Sequence, residues 1–440
     1  MSVLRSMTWS TMDEEARAAL CARGLEAIFD SDLKAAIGRI IDDVRANGDE
    51  AVCRALHDFD HVVVEPQQLR ATADEIAGAE VSADVDAAID DAITHLRAFN
   101  VQLMKRSADW SFESEPGLTV GEKITPISSA GLFVPSGKAS YPSVAYQLGV
   151  PAIVAGVPEL ALVVPPMPGG GGRIDPGVLV VCHKLGIDNV FRVNGPAGVA
   201  ALGFGTESIP RVRKIVGPGS PPVACAQVEM QRYGVATMMI LGPTESLVIA
   251  DDSADPRYVA ADLLNEAEHG TDSAVLLVTP STRLLAEVDV ELQRQIDLLP
   301  GARADAARAA LGANGGCVIV SNLGEAADVA NRWAPEHLQV AVDPTAEAEL
   351  IDRLVNAGEI LVGQSTLFSA ANFVIGCPAS LPTGGFAHVS SGITADAFLK
   401  HTAVARADVG ALERMTPTIV AMSDHEGFAA HANAALIRRH

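Results

Sequence analysis

The sequence predicts an α/β protein, and three observations carry that prediction. From about Ile124 onward, short β-branched runs are separated by glycine and proline with helical stretches between them, the texture of βαβ units around a parallel sheet. From Asp13 to about Asn100, apolar residues recur at helical spacing. The composition, 48% apolar and only 4% aromatic with abundant Ala, Gly and Val, is common among α/β enzymes.

At 440 residues the chain exceeds one ordinary core and is expected to divide into about two to four domains. Its net charge of −23 argues against nucleic acid or an anionic membrane as partner, because phosphate recognition needs clustered Lys and Arg. An anionic cofactor must therefore be met by backbone N–H groups or a few placed cations. Cys21, Cys53, Cys182, Cys225, Cys317 and Cys377 show no CxxC spacing and read as reduced thiols of a cytosolic protein. The stretch from Met1 to Met7 lacks a signal-peptide core, and no apolar run reaches membrane-spanning length, so a soluble, cytoplasmic protein is expected.

Along the chain, Leu20, Leu25 and Ile28 open the first helical pattern. Leu33, Ile37, Ile40, Ile41 and Val44 continue it until Asn47-Gly48-Asp49 stops the segment. A second amphipathic helix runs from about Ser82 through Ile89, Ile93 and Leu96. This alanine- and acid-rich stretch shows no chemistry and reads as scaffold or a dimerisation arm. Ser129 to Val134 is a strand ending in a turn, and Pro151 to Val157 and Ala161 to Pro166 are apolar runs of strand length. Gly177 to Cys182 leads toward a further run at Val190 to Pro196. The glycines from Gly169 to Gly172 read as a surface connection, because no strand-to-helix frame or Lys-Ser/Thr pair surrounds them. Gly217-Pro218-Gly219-Ser220 and Gly242-Pro243-Thr244-Glu245 place small residues at strand ends, where backbone can approach a ligand. Ser246 to Asp252 is a strand, Ala260 to Gly270 a helix with a glycine stop, and Ser273 to Thr279 the next strand. Two repeats of similar architecture on either side of Gly242 fit this pattern, although no sequence repeat is visible.

The chemistry centres on Asn331-Arg332-Trp333-Ala334-Pro335-Glu336-His337-Leu338. Pro335 disfavours helix in the residue before it, so Glu336 and His337 are expected at the start of an element. A carboxylate beside an imidazole equips an acid–base catalyst; a surface helix start that happens to carry Glu and His is the alternative. Glu266 and His269, three apart on a helix, share a face and could offer oxygen and nitrogen to one metal ion. A solvated helix end is the plain alternative there. No GxGxxG fingerprint is present, so no dinucleotide site follows from that motif.

Phe204 to Pro210 through Lys214 to Gly219, Gly242 to Glu245 with Leu247 to Asp251, Ala261 to Leu264 through Ala267 to Gly270, Ala334 to Leu338 and Leu381 to Gly385 together resemble the histidinol dehydrogenase family. The likeness extends from about Ile124 to the C-terminus. It implies homodimers with shared active sites, built from two incomplete Rossmann-like domains with helical N- and C-terminal extensions. Residues 1–30 would be the N-terminal extension, and residues 31–128 with 242–385 the first domain, carrying the catalytic and metal residues. Residues 129–241 would be the second domain, on the nucleotide side, and residues 386–440 a C-terminal extension swapped between subunits.

The resemblance also implies zinc or a similar divalent metal, and two NAD⁺ that take a primary amino alcohol through an aldehyde to a carboxylate. His337 would deprotonate the alcohol and Glu336 would activate water. The metal set would be Glu266, His269, Asn372 and His431. Thr244, His337 and Glu426 would contact substrate, and Phe133, Gly198 and Ser220 the cofactor. Glu426 and His431 would reach in from the partner chain.

The departures from the family bear on specificity. Where the family has Gln, His, Asp and His on zinc, this chain has Glu266, His269, Asn372 and His431. Acid and amide have changed places and the formal charge is conserved, which favours a retained metal. Gly376-Cys377-Pro378-Ala379-Ser380 stands where the family reads Gly-Thr-Asn-His, and Phe133, Gly198 and Ser220 replace Tyr, Gln and Asn. The expectation is therefore an NAD-linked dehydrogenase acting on a small polar primary alcohol other than histidinol. The alternatives are a true histidinol dehydrogenase of histidine biosynthesis and a homologue that binds a metabolite without turning it over.

Overall fold

Two all-parallel sheets with the same strand order organise the chain. The computed structural model describes residues 2–23, 30–135, 141–238 and 242–438. Strand β1 (Ser6–Thr8) is followed by the antiparallel pair β2 (Trp110–Glu115) and β3 (Leu118–Pro126). The five-stranded sheet contains β4 (Ser129–Phe133), β5 (Glu159–Val164), β6 (Val190–Arg192), β7 (Lys214–Val216) and β8 (Ala236–Thr237), in the order β6-β5-β4-β7-β8. The six-stranded sheet contains β9 (Glu245–Ala250), β10 (Ala274–Thr279), β11 (Gly316–Ile319), β12 (His337–Ala341) and β13 (Glu359–Val362). Its order is β1-β11-β10-β9-β12-β13, so β1 is added at one edge. Counted from its own first strand, each sheet runs third, second, first, fourth, fifth. The two similar repeats expected on either side of Gly242 are thus present in topology, without a repeated sequence.

The helices are α1 (Glu14–Cys21), α2 (Ser31–Asp60), α3 (Ala73–Ala77), α4 (Ala83–Met104), α5 (Pro142–Val154), α6 (Pro176–Leu185), α7 (Gly195–Phe204) and α8 (Pro221–Met230). They continue with α9 (Pro256–Ala267), α10 (Thr282–Ile296), α11 (Gly301–Gly312), α12 (Leu323–Trp333), α13 (Pro344–Arg353) and α14 (Phe368–Phe373). The expected stop at Asn47-Gly48-Asp49 is a kink inside α2. Gly48 takes φ 51° and ψ −131°, and the following N–H, of Asp49, donates to Glu207 Oε2 at 2.8 Å. Ser82 caps α4 as the periodicity suggests. Leu25 and Ile28 lie outside the described residues.

Three expectations are corrected. The run from Pro151 to Val157 is not a strand: α5 extends through Val154, and Gly177 to Cys182 likewise belongs to α6. Every residue from Ala145 to Ala152 is buried, so α5 is apolar all round and carries no stripe for periodicity to detect. Residues 31–104 do not join the 242–385 sheet. Ile37, Ile41, Val44 and Leu56 of α2 share a core with Phe133, Leu202 and Cys225, and Ile89 and Leu96 of α4 share one with Leu132 and Leu148. These amphipathic helices cover the apolar crossover helices of the five-stranded sheet, which would otherwise face water. The terminal extensions are not purely helical either: β1 pairs with β11, and β14 (Leu399–Ala407) pairs antiparallel with β3.

After β14 the chain ends in α15 (Val409–Glu426) and α16 (Ala429–Leu436). Val409, Met422, Phe428, Leu436 and Ile437 are exposed on this arm. All six cysteines are free. Among the described residues, no helix is long and apolar enough to cross a membrane.

Candidate active site

Glu336 and His337 stand where expected, at the start of an element, but that element is a buried strand. Helix α12 ends with Ala334 in the left-handed conformation (φ 49°), Pro335 follows, and His337 is the first residue of β12. A left-handed non-glycine residue costs about 1–2 kcal/mol, and fully buried Ala334 is held there by its neighbours. Glu336 and His337 are 8% and 2% exposed, which removes the reading of a solvated surface pair.

The pair lies at the amino edge of the six-stranded sheet, where β9 and β12 run side by side. The Glu245 N–H, at the start of β9, donates to Glu336 Oε2 at 3.0 Å. Glu359 opens β13 and pairs in register with His337; its Oε1 lies 2.5 Å from His337 Nδ1. His337 Nε2 is 3.7 Å from Glu336 Oε1, and the Phe368 ring packs edge-on against the imidazole, with centroids 5.8 Å apart. Gly358 makes this proximity possible, because a Cβ there would overlap the Glu336 carbonyl oxygen. Three buried residues absent from the expected set complete the shell: Glu359, Glu245 and Arg23. Arg23 Nε lies 3.3 Å from Glu245 Oε1, which also accepts the Gly384 N–H at 2.7 Å, and the guanidinium covers the Trp333 ring at 4.0 Å. Glu245 ends the Gly242-Pro243-Thr244-Glu245 motif, but no periodicity or motif marks Glu359 or Arg23: sheet pairing brings in the first and the segment after α1 the second.

So many acids in one buried place shift each other's ionisation. Burial pushes Glu336 up to about 8, against the attraction of His337 and the Glu245 N–H. Burial raises Glu245 to about 7, with Arg23 opposing. For His337, burial disfavours the cation, but the attraction of Glu336, the Glu359 hydrogen bond and nearby Glu266 prevail and raise it. Perturbed groups of this kind, gathered beside one another, mark candidate catalytic centres.

The expected metal residues divide into two groups. Glu266, in the last turn of α9, is 1% exposed; its Oε1 accepts Asn372 Nδ2 and Asn265 Nδ2, both at 2.7 Å. Glu266 Oε2 is buried without a hydrogen-bond partner, and His269 Nε2 approaches it at 3.6 Å. An orphaned buried carboxylate oxygen, an imidazole nitrogen and a carboxamide oxygen fit a divalent cation as donors. His431 does not join them: it is exposed on α16, beside Phe428, and among the described residues no three His, Cys, Asp or Glu side chains gather as a metal cluster. Glu426 is likewise exposed, at the end of α15. Thr244 immediately precedes Glu245 and so lies on the edge that carries Glu336.

The three expected cofactor positions lie at the carboxyl edge of the five-stranded sheet. Phe133 ends β4, Gly198 sits in the first turn of α7 after β6, and Ser220 caps α8 after β7. Phe133 and Gly198 are buried neighbours: a Cβ on Gly198 would stand 3.6 Å from the Phe133 ring. Exposed Ser220 alone among the three offers a polar side chain. Gly217, at φ 133°, runs so close to β4 that a Cβ would overlap the Phe133 carbonyl oxygen. The N-termini of α5 and α8 follow the ends of β4 and β7, the two strands between which the order reverses; that frame fits a dinucleotide phosphate. Helix α5 ties this edge to the segment after Asn372, as Tyr146 Oη donates to Phe373 O at 2.9 Å and the Ala379 N–H to Gln147 Oε1 at 3.2 Å.

Comparison with known proteins finds matches that extend over nearly the whole chain. The model of the family described as histidinol dehydrogenase matches residues 26–439. A histidinol dehydrogenase homolog of Colwellia psychrerythraea is 36% identical over 90% of this chain and 88% of its own. The histidinol dehydrogenase of Geobacter sulfurreducens is 37% identical over 96% of both chains. The crystal structure of histidinol dehydrogenase from Elizabethkingia anophelis superposes with a TM-score of 0.93 at 30% identity, covering 100% of this chain and 98% of that one. With a family model that matches nearly the whole chain and near-full-length relatives at 36–37% identity, the chain belongs to the histidinol dehydrogenase family.

Proposed function

We propose that the chain is a metal-dependent, NAD-linked dehydrogenase of the cytoplasm that oxidises the primary alcohol of L-histidinol through an aldehyde to a carboxylate. The observation that carries this reading is the buried Glu336–His337 pair, close enough to Glu266 of the donor set for that carboxylate to act on both. The extent of similarity to histidinol dehydrogenases supports L-histidinol ahead of other alcohols, against the expectation drawn from the altered pocket residues.

When bound, NAD⁺ on the carboxyl edge of the Rossmann-like five-stranded unit supplies the hydride acceptor, and a divalent ion at Glu266, His269, Asn372 and His431 of the partner subunit orients the substrate. In the first half-reaction His337 takes the hydroxyl proton as hydride leaves the carbon. Glu336, the Glu359 hydrogen bond and Glu266 raise this ring's affinity for a proton against the cost of burial, which suits it to accept one from the substrate. In the second half-reaction Glu336 takes a proton from water as the oxygen attacks the aldehyde, and its raised affinity for protons suits a base working near neutrality. Each half moves two electrons as hydride to one NAD⁺, and water supplies the second carboxylate oxygen. The exposed apolar residues of α15 and α16 support a homodimer in which that arm, with Glu426 and His431, completes the neighbouring site.

The test is NADH formation from L-histidinol by purified protein, with metal analysis of the same sample. His337→Ala and Glu336→Gln should each lower kcat by roughly 10²–10⁴, and a chelator should abolish turnover until zinc is restored. No NADH from L-histidinol would overturn the substrate assignment. A second reading, a different small polar primary alcohol, is favoured by the exchange of acid and amide at Glu266 and Asn372. Turnover of amino, hydroxy or sulfonated alcohols in the absence of histidinol turnover would establish it.

A further inference from the structure

We propose that Glu359 is the positioning residue of the catalytic base: its carboxylate fixes His337 with Nδ1 turned away from the substrate and Nε2 presented to it. The inference rests on reading His337 as the base.

Four observations point to it. Glu359 and His337 are the first residues of neighbouring parallel strands and are direct partners in the register, so their side chains leave the sheet on the same side. The contact is short, 2.5 Å between Oε1 and Nδ1, and both side chains are nine-tenths or more buried, so water does not compete for either atom. The backbone repeats the connection: the Glu359 N–H donates to the Glu336 carbonyl oxygen at 3.1 Å and the Gly358 N–H to that of Pro335 at 2.9 Å. One dipeptide thus clamps both members of the catalytic pair. Finally, among the described residues no hydrogen bond reaches Glu359 Oε2, and the ring is the side-chain partner of this carboxylate.

The chemistry follows from the two nitrogens of imidazole. A neutral ring carries one proton, and a carboxylate at Nδ1 keeps it there, leaving the lone pair on Nε2. Nε2 is the nitrogen directed toward Glu336, 3.7 Å away, on the side where the two bases must share a substrate. Without Glu359 the ring could carry its proton on either nitrogen and turn about χ2, and a base in the wrong tautomer cannot accept the hydroxyl proton.

The test combines proton NMR of the whole protein with kinetics of Glu359→Gln and Glu359→Asp. The unaltered protein should show an imidazole N–H resonance far downfield of the amides, lost in both Glu359→Gln and His337→Asn. Glu359→Gln should lower kcat by roughly 10²–10⁴ with KM little changed, and Glu359→Asp should recover part of the loss. A role confined to stability would lower the melting temperature and leave the kcat of the folded fraction intact. A resonance that survives Glu359→Gln, or an unchanged kcat in that variant, overturns the proposal. If Glu359→Gln does not fold, a shifted resonance and lowered kcat in Glu359→Asp support the proposal, and unchanged values overturn it. Failure of the dehydrogenase reading would appear separately, as absent NADH formation by the unaltered protein while the resonance remains.

Discussion

Replacing Asn372 by Asp tests whether the acid and amide at the proposed metal site are interdependent. Asn372 Nδ2 donates to Glu266 Oε1 at 2.7 Å, and Glu266 is almost wholly buried. Asn372→Asp removes a hydrogen bond to a charged group, about 1.5–3 kcal/mol, and sets two carboxylates against each other. At about 4 Å and an effective dielectric constant of about 20, their repulsion adds about 4 kcal/mol. The sum, about 6 kcal/mol, approaches the whole stability of many domains. The pair can escape by sharing a proton, which raises its folded pKa above the unfolded value. Stability is then retained below the unfolded pKa and lost as pH rises through the folded one, so the variant should be far weaker at pH about 8 than at pH about 5. Glu266→Gln combined with Asn372→Asp restores one acid and one amide, and should recover all but about 1–2 kcal/mol, within the range of coupling expected for contacting residues. Urea denaturation of chelator-treated protein at both pH values measures each corner of the cycle. An Asn372→Asp protein as stable as the original at high pH, or a double variant no better than the single, would refute the argument.

Two further outcomes follow from the buried shell. Arg23→Met leaves Glu245 without its cation and removes the contact with Trp333, at a cost of about 3–5 kcal/mol where Glu245 is ionised. The folded Glu245 pKa is already raised to about 7, and loss of Arg23 raises it further. The stability contributed by its protonated form is full below the unfolded pKa and lost as pH rises through the folded one, so thermal melts should show a small defect at pH about 5.5 and the full defect at pH about 8.5. Gly358→Ala places a methyl group on the Glu336 carbonyl oxygen and against Leu381 Cβ at 3.1 Å, so backbone must move at the Glu336–His337 pair. It should cost about 1–3 kcal/mol by denaturation and lower kcat more than it raises KM; unchanged kinetics would show that the 335–337 backbone tolerates displacement.

What the sequence made legible follows from where water reaches. Helices α2 and α4 keep an exposed face, so their apolar stripes survive as periodicity, and even the break at Gly48 was visible as Asn-Gly-Asp. Helices α5 and α6 are covered on nearly all sides, their pattern is uniformly apolar, and a strand reading was the natural error. The Glu336–His337 pair was legible as a candidate site because Pro335 marks an element boundary beside two ionisable residues. Its shell was not: Glu359 is 22 residues away, Glu245 is 91 away, and each looks locally like the charged first residue of an apolar strand. Only the pairing of β9, β12 and β13 converts three separate strand starts into one site. That pairing also explains an exception. Parallel sheets ordinarily bind ligands at their carboxyl ends, and the expected cofactor positions Phe133, Gly198 and Ser220 obey this in the five-stranded sheet. Glu336 and His337 occupy the amino ends of the six-stranded one. The proposed hydride transfer would require the opposite edges of the two sheets to approach each other. The hydrogen bonds from α5, which follows β4, to Phe373 and Ala379, which follow Asn372, make that approach a property of the chain itself.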